Sequence, residues 1–225
     1  MKPACRARGT GRPTLEAMTI QQIAPIDVLA AHDVTLRGSV PWGVPIRHKD
    51  RGVYIVGLHP DPTDPGGLTE APIDESALRE WMVRVPGLRL KGEPVEPSAL
   101  ASHLAQWWLP DTSVLYIGKA ETSLRTRVHQ FVKTPIGARG PHAGGQWLKT
   151  LRNNAGFTVH YALLPERWAD AGALEDAMLE WFVQHYTPTP MAHPQPALLL
   201  PWANLVLDRP SPRRARDHGI KPNTI

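Results

Sequence analysis

Two short runs, Gly52-Val-Tyr-Ile-Val-Gly-Leu and Ser113-Val-Leu-Tyr-Ile-Gly-Lys, constrain this chain more than any other feature of it. Each sets β-branched and aromatic residues between glycine and charge or polar residues, the pattern of a strand. Pairing them would bring one tyrosine from each into a single sheet. The 56 residues between them, 57–112, are far too many for a hairpin turn and read as an insert. Within it a Pro/Gly/Asp loop leads to two helices. One spans about 75–84 with Asp74 as its cap; the other spans about 98–108 with a stripe of Leu100, Leu104, Trp107 and Trp108. The two tryptophans read as core rather than as a stacking platform.

Downstream, residues 122–133 place Leu124, Val128, Phe131 and Val132 on one helical face. A Gly/Pro loop and a short helix near 146–152 follow. Gly156-Phe-Thr-Val-His-Tyr-Ala-Leu-Leu reads as a third strand, and a helix over 172–186 runs into Pro188 and Pro190. The expected fold is α/β (α+β): a small, mostly antiparallel three-stranded sheet flanked by helices. One domain should span 18–208, with 18–51 as a lead-in packed on it. Residues 1–17 read as a disordered basic arm, or as an extension ahead of a start at Met18, and 209–225 as a basic tail.

The composition removes several classes. With 24 prolines the chain is not a coiled coil, and the lone Cys5 excludes sites built on paired thiolates. No stretch approaches 18 uncharged apolar residues and the first residues lack a secretory core, so the expectation is a cytoplasmic protein with no membrane contact. The formal charge of +4 is unevenly spread. In 118–152, Lys119, Arg125, Arg127, Lys133, Arg139, Lys149 and Arg152 face Glu121 alone, a balance that suits a polyanion.

Common catalytic signatures are missing: G-x-S-x-G, the phosphate-cradling G-x-x-x-x-G-K-[ST], H-E-x-x-H and G-x-G-x-x-G in its strand-to-helix setting. No nucleotide cofactor is therefore expected. His185 and His193 read as surface residues. One acid is misplaced: on the 172–186 helix Glu175 falls inside the apolar arc of Leu174, Met178, Leu179, Trp181, Phe182 and Tyr186, while Asp176, Glu180 and Gln184 fall opposite. A carboxylate facing a sheet must be paired, protonated or metal-bound. A buried arginine partner and a metal ion are equal readings at this point.

Gly52-Val53-Tyr54 and Tyr116-Ile117-Gly118 resemble the paired elements that name the GIY-YIG nuclease family. Further parts come in the same order: Tyr116-Ile-Gly-Lys-Ala with Leu124-Arg-Thr-Arg127 is similar to the second strand and arginine helix, Leu174-Glu175 to the metal-binding glutamate helix, and Pro201-Trp-Ala-Asn204 to the closing Pro-x-x-Asn element. Together they span residues 52–204. Two departures stand out: the long insert, and Phe131 where many members carry His or Tyr.

The resemblance implies a metal-dependent endonuclease that hydrolyses phosphodiester bonds in DNA, with a catalytically inactive module of the same fold, binding nucleic acid or protein, as the alternative. It assigns Glu175 to one Mg²⁺ or Mn²⁺ ion, Tyr54 or Tyr116 to orienting or deprotonating the attacking water, and Arg127 to the phosphate oxygens. Arg125 and His129 are second choices because their spacing, read from Arg125, also fits. Lys119, Arg125, His129, His142, Lys149 and Arg152 are the candidate nucleic-acid contacts; Gly52, Gly118 and Asn204 are expected to shape the site. The opposing expectation is that Tyr54 and Tyr116 are ordinary cross-strand aromatics.

Overall fold

A computed structural model describes residues 22–138, 143–186, 199–205 and 220–221. The basic arm, His142, His193 and most of the basic tail lie outside the described residues.

The first elements are helix α1 (Pro25–Ala30) and strands β1 (Gly38–Pro41) and β2 (Gly52–Gly57). The insert supplies α2 (Glu75–Arg84), the two-residue strand β3 (Arg89–Leu90) and α3 (Pro97–Ala105). Then come β4 (Val114–Ala120), α4 (Leu124–Lys133), α5 (Ala143–Lys149), β5 (Thr158–Leu163), α6 (Ala171–His185) and β6 (Ile220–Lys221).

The main sheet has four strands in the order β1-β5-β2-β4, every pairing antiparallel. The expectation of three strands is corrected by β1, which comes from the 18–51 lead-in and completes a four-stranded sheet. Pro41 closes β1, which is allowed because β1 is an edge strand and needs no donor on its outer side. β6 pairs with β3 in a separate two-stranded sheet.

β2 lies between β5 and β4 with all six residues buried, because helices cover both faces of the sheet. On one face Val53, Ile55 and Ile117 pack against Val28 and Leu29 of α1 and Leu174, Met178, Leu179 and Phe182 of α6. On the other, Tyr54, Val56 and Tyr116 join Leu124, Val128 and Phe131 of α4, Trp147 of α5 and Trp202. Leu78, Trp81, Leu100, Leu104, Trp107 and Trp108 of the insert belong to that same cluster.

Local signals place the helix starts. The side chains of Asp74, Ser123 and Asp170 accept backbone N–H groups in the first turns of α2, α4 and α6, each satisfying donors the helix leaves open.

Candidate active site

β2 and β4 set the two tyrosines side by side. In their register Tyr54 opposes Gly118 and Val56 opposes Tyr116, so both rings rise on one face, with centroids 5.9 Å apart. Gly118 makes this possible: a Cβ there would stand 2.4 Å from Cε1 of Tyr116 and 2.8 Å from Cζ of Tyr54. Gly52, at the start of β2, is held tightly too, since a Cβ would meet the Ala162 carbonyl oxygen at 2.1 Å. Phe131 closes over the pair, stacked on Tyr116 at 4.7 Å and edge-on to Tyr54 at 5.7 Å.

Lys119 follows Gly118 and faces the opposite side of the sheet, toward α6. Its Nζ stands 3.3 Å from Oε2 of Glu175 and 3.9 Å from Oε1 of Glu121. Glu175 is thus the misplaced acid of the sequence, only 14% exposed, and its partner is a lysine rather than the arginine expected from a purely structural role. Burial raises its carboxyl from an ordinary 4.5 to about 7; Lys119 and Arg127 oppose the rise and Asp176 adds to it. Burial alone would lower Lys119, but the Glu175 carboxylate, helped by Asp176 and Glu121, holds it above its usual range.

Arg127 is half-buried on α4, and its charge acts on Tyr54, Tyr116 and Glu175 together. Arg125 and His129 are exposed instead. Of the two candidate arginines, the structure brings Arg127 to the tyrosines and the glutamate. Burial drives Tyr54 well above its ordinary value against the pull of Arg127, and it raises Tyr116 likewise, with Tyr54 and Glu175 adding to the effect. Both hydroxyls are therefore neutral at pH 7. The Tyr54 hydroxyl is buried with no well-formed hydrogen bond, although Tyr116 and Arg127 are beside it.

Asn204 clasps the outer edge of β4. Its Oδ1 accepts the Ile117 N–H at 2.9 Å and its Nδ2 donates to the Ile117 carbonyl at 2.8 Å, while the Ala203 N–H donates to the Leu115 carbonyl at 2.9 Å. The strand bearing Tyr116, Gly118 and Lys119 is thereby fixed on both sides.

The remaining candidates are dispersed. Lys149 is half-buried and donates to the Thr134 carbonyl, and the Arg152 Nε donates to the Ile73 carbonyl at 2.8 Å, tying the insert to the chain after α5. Asp176, expected on the solvent side of α6, is 5% exposed and close enough to Lys119 and Glu175 to act on both. The apolar arc of α6 is wider than one sheet face requires because α1 also packs on this helix.

Among the described residues no three His, Cys, Asp or Glu side chains converge as a metal cage. The donor set is Glu175 with Asp176 near it. A lone hard carboxylate suits Mg²⁺ or Mn²⁺, which keep several of their waters, and a buried carboxylate raised to about 7 gains from a cation that favours its charged form. Among the described residues no helix is long and apolar enough to cross a membrane. No family model, no curated protein and no solved structure matches the chain.

Proposed function

We propose that this chain is a metal-dependent endonuclease of GIY-YIG type that hydrolyses phosphodiester bonds in DNA. The reading rests on one observation: two paired strands and two helices gather two tyrosines, a half-buried arginine, a lysine and a near-buried glutamate into one electrostatically linked group. Phosphodiester hydrolysis calls for those components, since it needs a positioned water and neutralised charge on the phosphate.

Glu175 would hold the Mg²⁺ or Mn²⁺ ion, which when bound neutralises charge on the scissile phosphate. Arg127 would bind phosphate oxygens through its forked donors. The raised tyrosines are too weakly acidic to act as free bases at neutral pH, so the role that fits them is to orient the water by hydrogen bonding. Lys119, 3.3 Å from Oε2, would fix the orientation of the Glu175 carboxylate.

A second reading has its own support. Tyr54 is 0% exposed and Phe131 stacks over Tyr116, which limits access to both hydroxyls and favours a binding module that has lost catalysis. The deciding experiment incubates the purified chain with supercoiled plasmid and branched DNA in Mg²⁺ or Mn²⁺, beside a chelator control and Glu175→Ala. Metal-dependent nicking that disappears in Glu175→Ala supports the nuclease. Binding without cleavage under either metal transfers the conclusion to the binding module.

A further inference from the structure

The chain just before β2 carries a basic segment, Arg47-His48-Lys49-Asp50-Arg51, that neither the charge count over 118–152 nor the site motifs include. It is not a loose loop. Ile46, 1% exposed, anchors its start, and Gly52 begins the buried central strand at its end. Between them the His48 carbonyl accepts the Arg125 N–H and the Asp50 carbonyl accepts the Leu124 N–H, both at 2.9 Å. These two bonds lay the segment, which bends at Asp50, across the first turn of α4.

Arg47, Lys49 and Arg51 are all exposed, and none forms an ion pair with another described residue; the one acid in the segment, Asp50, stands 3.7 Å from His48. Exposed Arg125 and His129 continue the surface along α4. The segment also ends where the candidate site begins: Gly52 pairs with Ala120, the residue after Lys119. Aromatic rings are conspicuously missing. Among the described residues no Trp, Tyr or Phe is exposed, so this face offers charge and no stacking platform for unpaired bases.

We propose that Arg47–Arg51, with Arg125 and His129, forms a surface that tracks the sugar-phosphate backbone of duplex DNA and leads it to the Lys119–Glu175 group. This rests on the nuclease reading and adds the path by which DNA arrives. Contacts to phosphates through fixed cations position a duplex without reading its sequence. They also release counterions, so affinity falls with salt at a slope of about −0.9 per phosphate contacted.

The test uses the full chain with a chelator present, and follows by fluorescence anisotropy the binding of a labelled duplex of about two helical turns, roughly 20 base pairs, between about 50 and 200 mM salt. A single strand of the same length serves as comparison. R47A/K49A/R51A should bind the duplex at least ~10-fold more weakly at the low-salt end, with the salt slope reduced by about 2 to 3. Asp50→Lys should move affinity the other way, which keeps the test decisive if the triple variant fails to fold. Wild-type binding left unchanged in both affinity and slope by these variants overturns the surface while the plasmid assay leaves the nuclease standing. Tighter binding of the single strand overturns the duplex path. Wild-type protein that binds neither DNA overturns this surface, while the plasmid assay in Mg²⁺ or Mn²⁺ decides the nuclease separately.

Discussion

Glu175 holds a charge that the fold disfavours. Its carboxyl titrates near 7 in the folded chain against 4.5 ordinarily, so below about pH 4.5 it is protonated in both folded and unfolded states and takes nothing from stability. As pH rises through 7 the folded chain must carry a buried carboxylate, and stability is lost across that interval. A full shift of this size, with the Lys119 pairing already counted in it, corresponds to about 3 kcal/mol. Glu175→Gln should therefore resist urea better than wild type by about 1–3 kcal/mol at pH 8 and equally at pH 4.5, and on the proposed nuclease reading it should also abolish metal-dependent nicking. Equal stability at both pH values would show that the carboxylate is not strained. Gly118 makes the complementary case by shape. Its hydrogen lies where a methyl group would press on both tyrosine rings, and Phe131, stacked on one and edge-on to the other, blocks their retreat. Gly118→Ala should cost about 2–4 kcal/mol in urea unfolding. A loss under half a kilocalorie would mean that the rings move freely.

Among the elements, β4 carries most of the candidate site yet sits at the edge of the sheet, where one row of its peptide groups has no strand partner. Asn204 supplies that partner at Ile117 through both ends of its amide. Asn204→Ala would leave a buried N–H and carbonyl unpaired, and should cost about 2–3 kcal/mol and raise amide exchange at Ile117 above that at Ile55 on the central strand. Equal protection at the two positions would show that water replaces the clasp. Asn204 was readable in the sequence only as a motif match, because the hydrogen bonds span 87 residues. α2 was readable to the residue, since Asp74 both precedes its first turn and caps it. β1 was missed for the opposite reason: four residues ending in proline give no period, and only pairing with β5 makes them a strand. Helical spacing alone leaves Arg125 and Arg127 flanking the apolar stripe alike; the packing of α4 on the tyrosine face of the sheet half-buries Arg127 and leaves Arg125 exposed, which no local pattern encodes.

At the scale of the whole fold the insert is the least expected feature, for its acidic composition and length suggest a unit standing apart. Its ends meet where the Leu58 N–H donates to the Ser113 carbonyl at 2.9 Å, so a two-strand pairing survives 56 intervening residues at small entropic cost. Its apolar side chains then join the main cluster. Trp81 packs edge-on against Trp147 at 5.3 Å, Trp108 against Trp202 at 5.6 Å, and Arg152 reaches back to the Ile73 carbonyl. The insert therefore packs on α5 and the closing segment, and extends the apolar cluster that α4 and the tyrosine face of the sheet begin. Small domains with one core unfold in a single step. Thermal unfolding should accordingly give one transition, with tryptophan fluorescence, which reports on insert and sheet together, coinciding with far-ultraviolet circular dichroism. A version in which a short turn joins Gly57 to Ser113 would expose Trp147 and Trp202 to water, and should be recovered as an aggregated or molten product. Two separated transitions in the intact chain, or a soluble, cooperatively folding shortened chain, would instead make the insert an independent unit attached to a self-sufficient sheet.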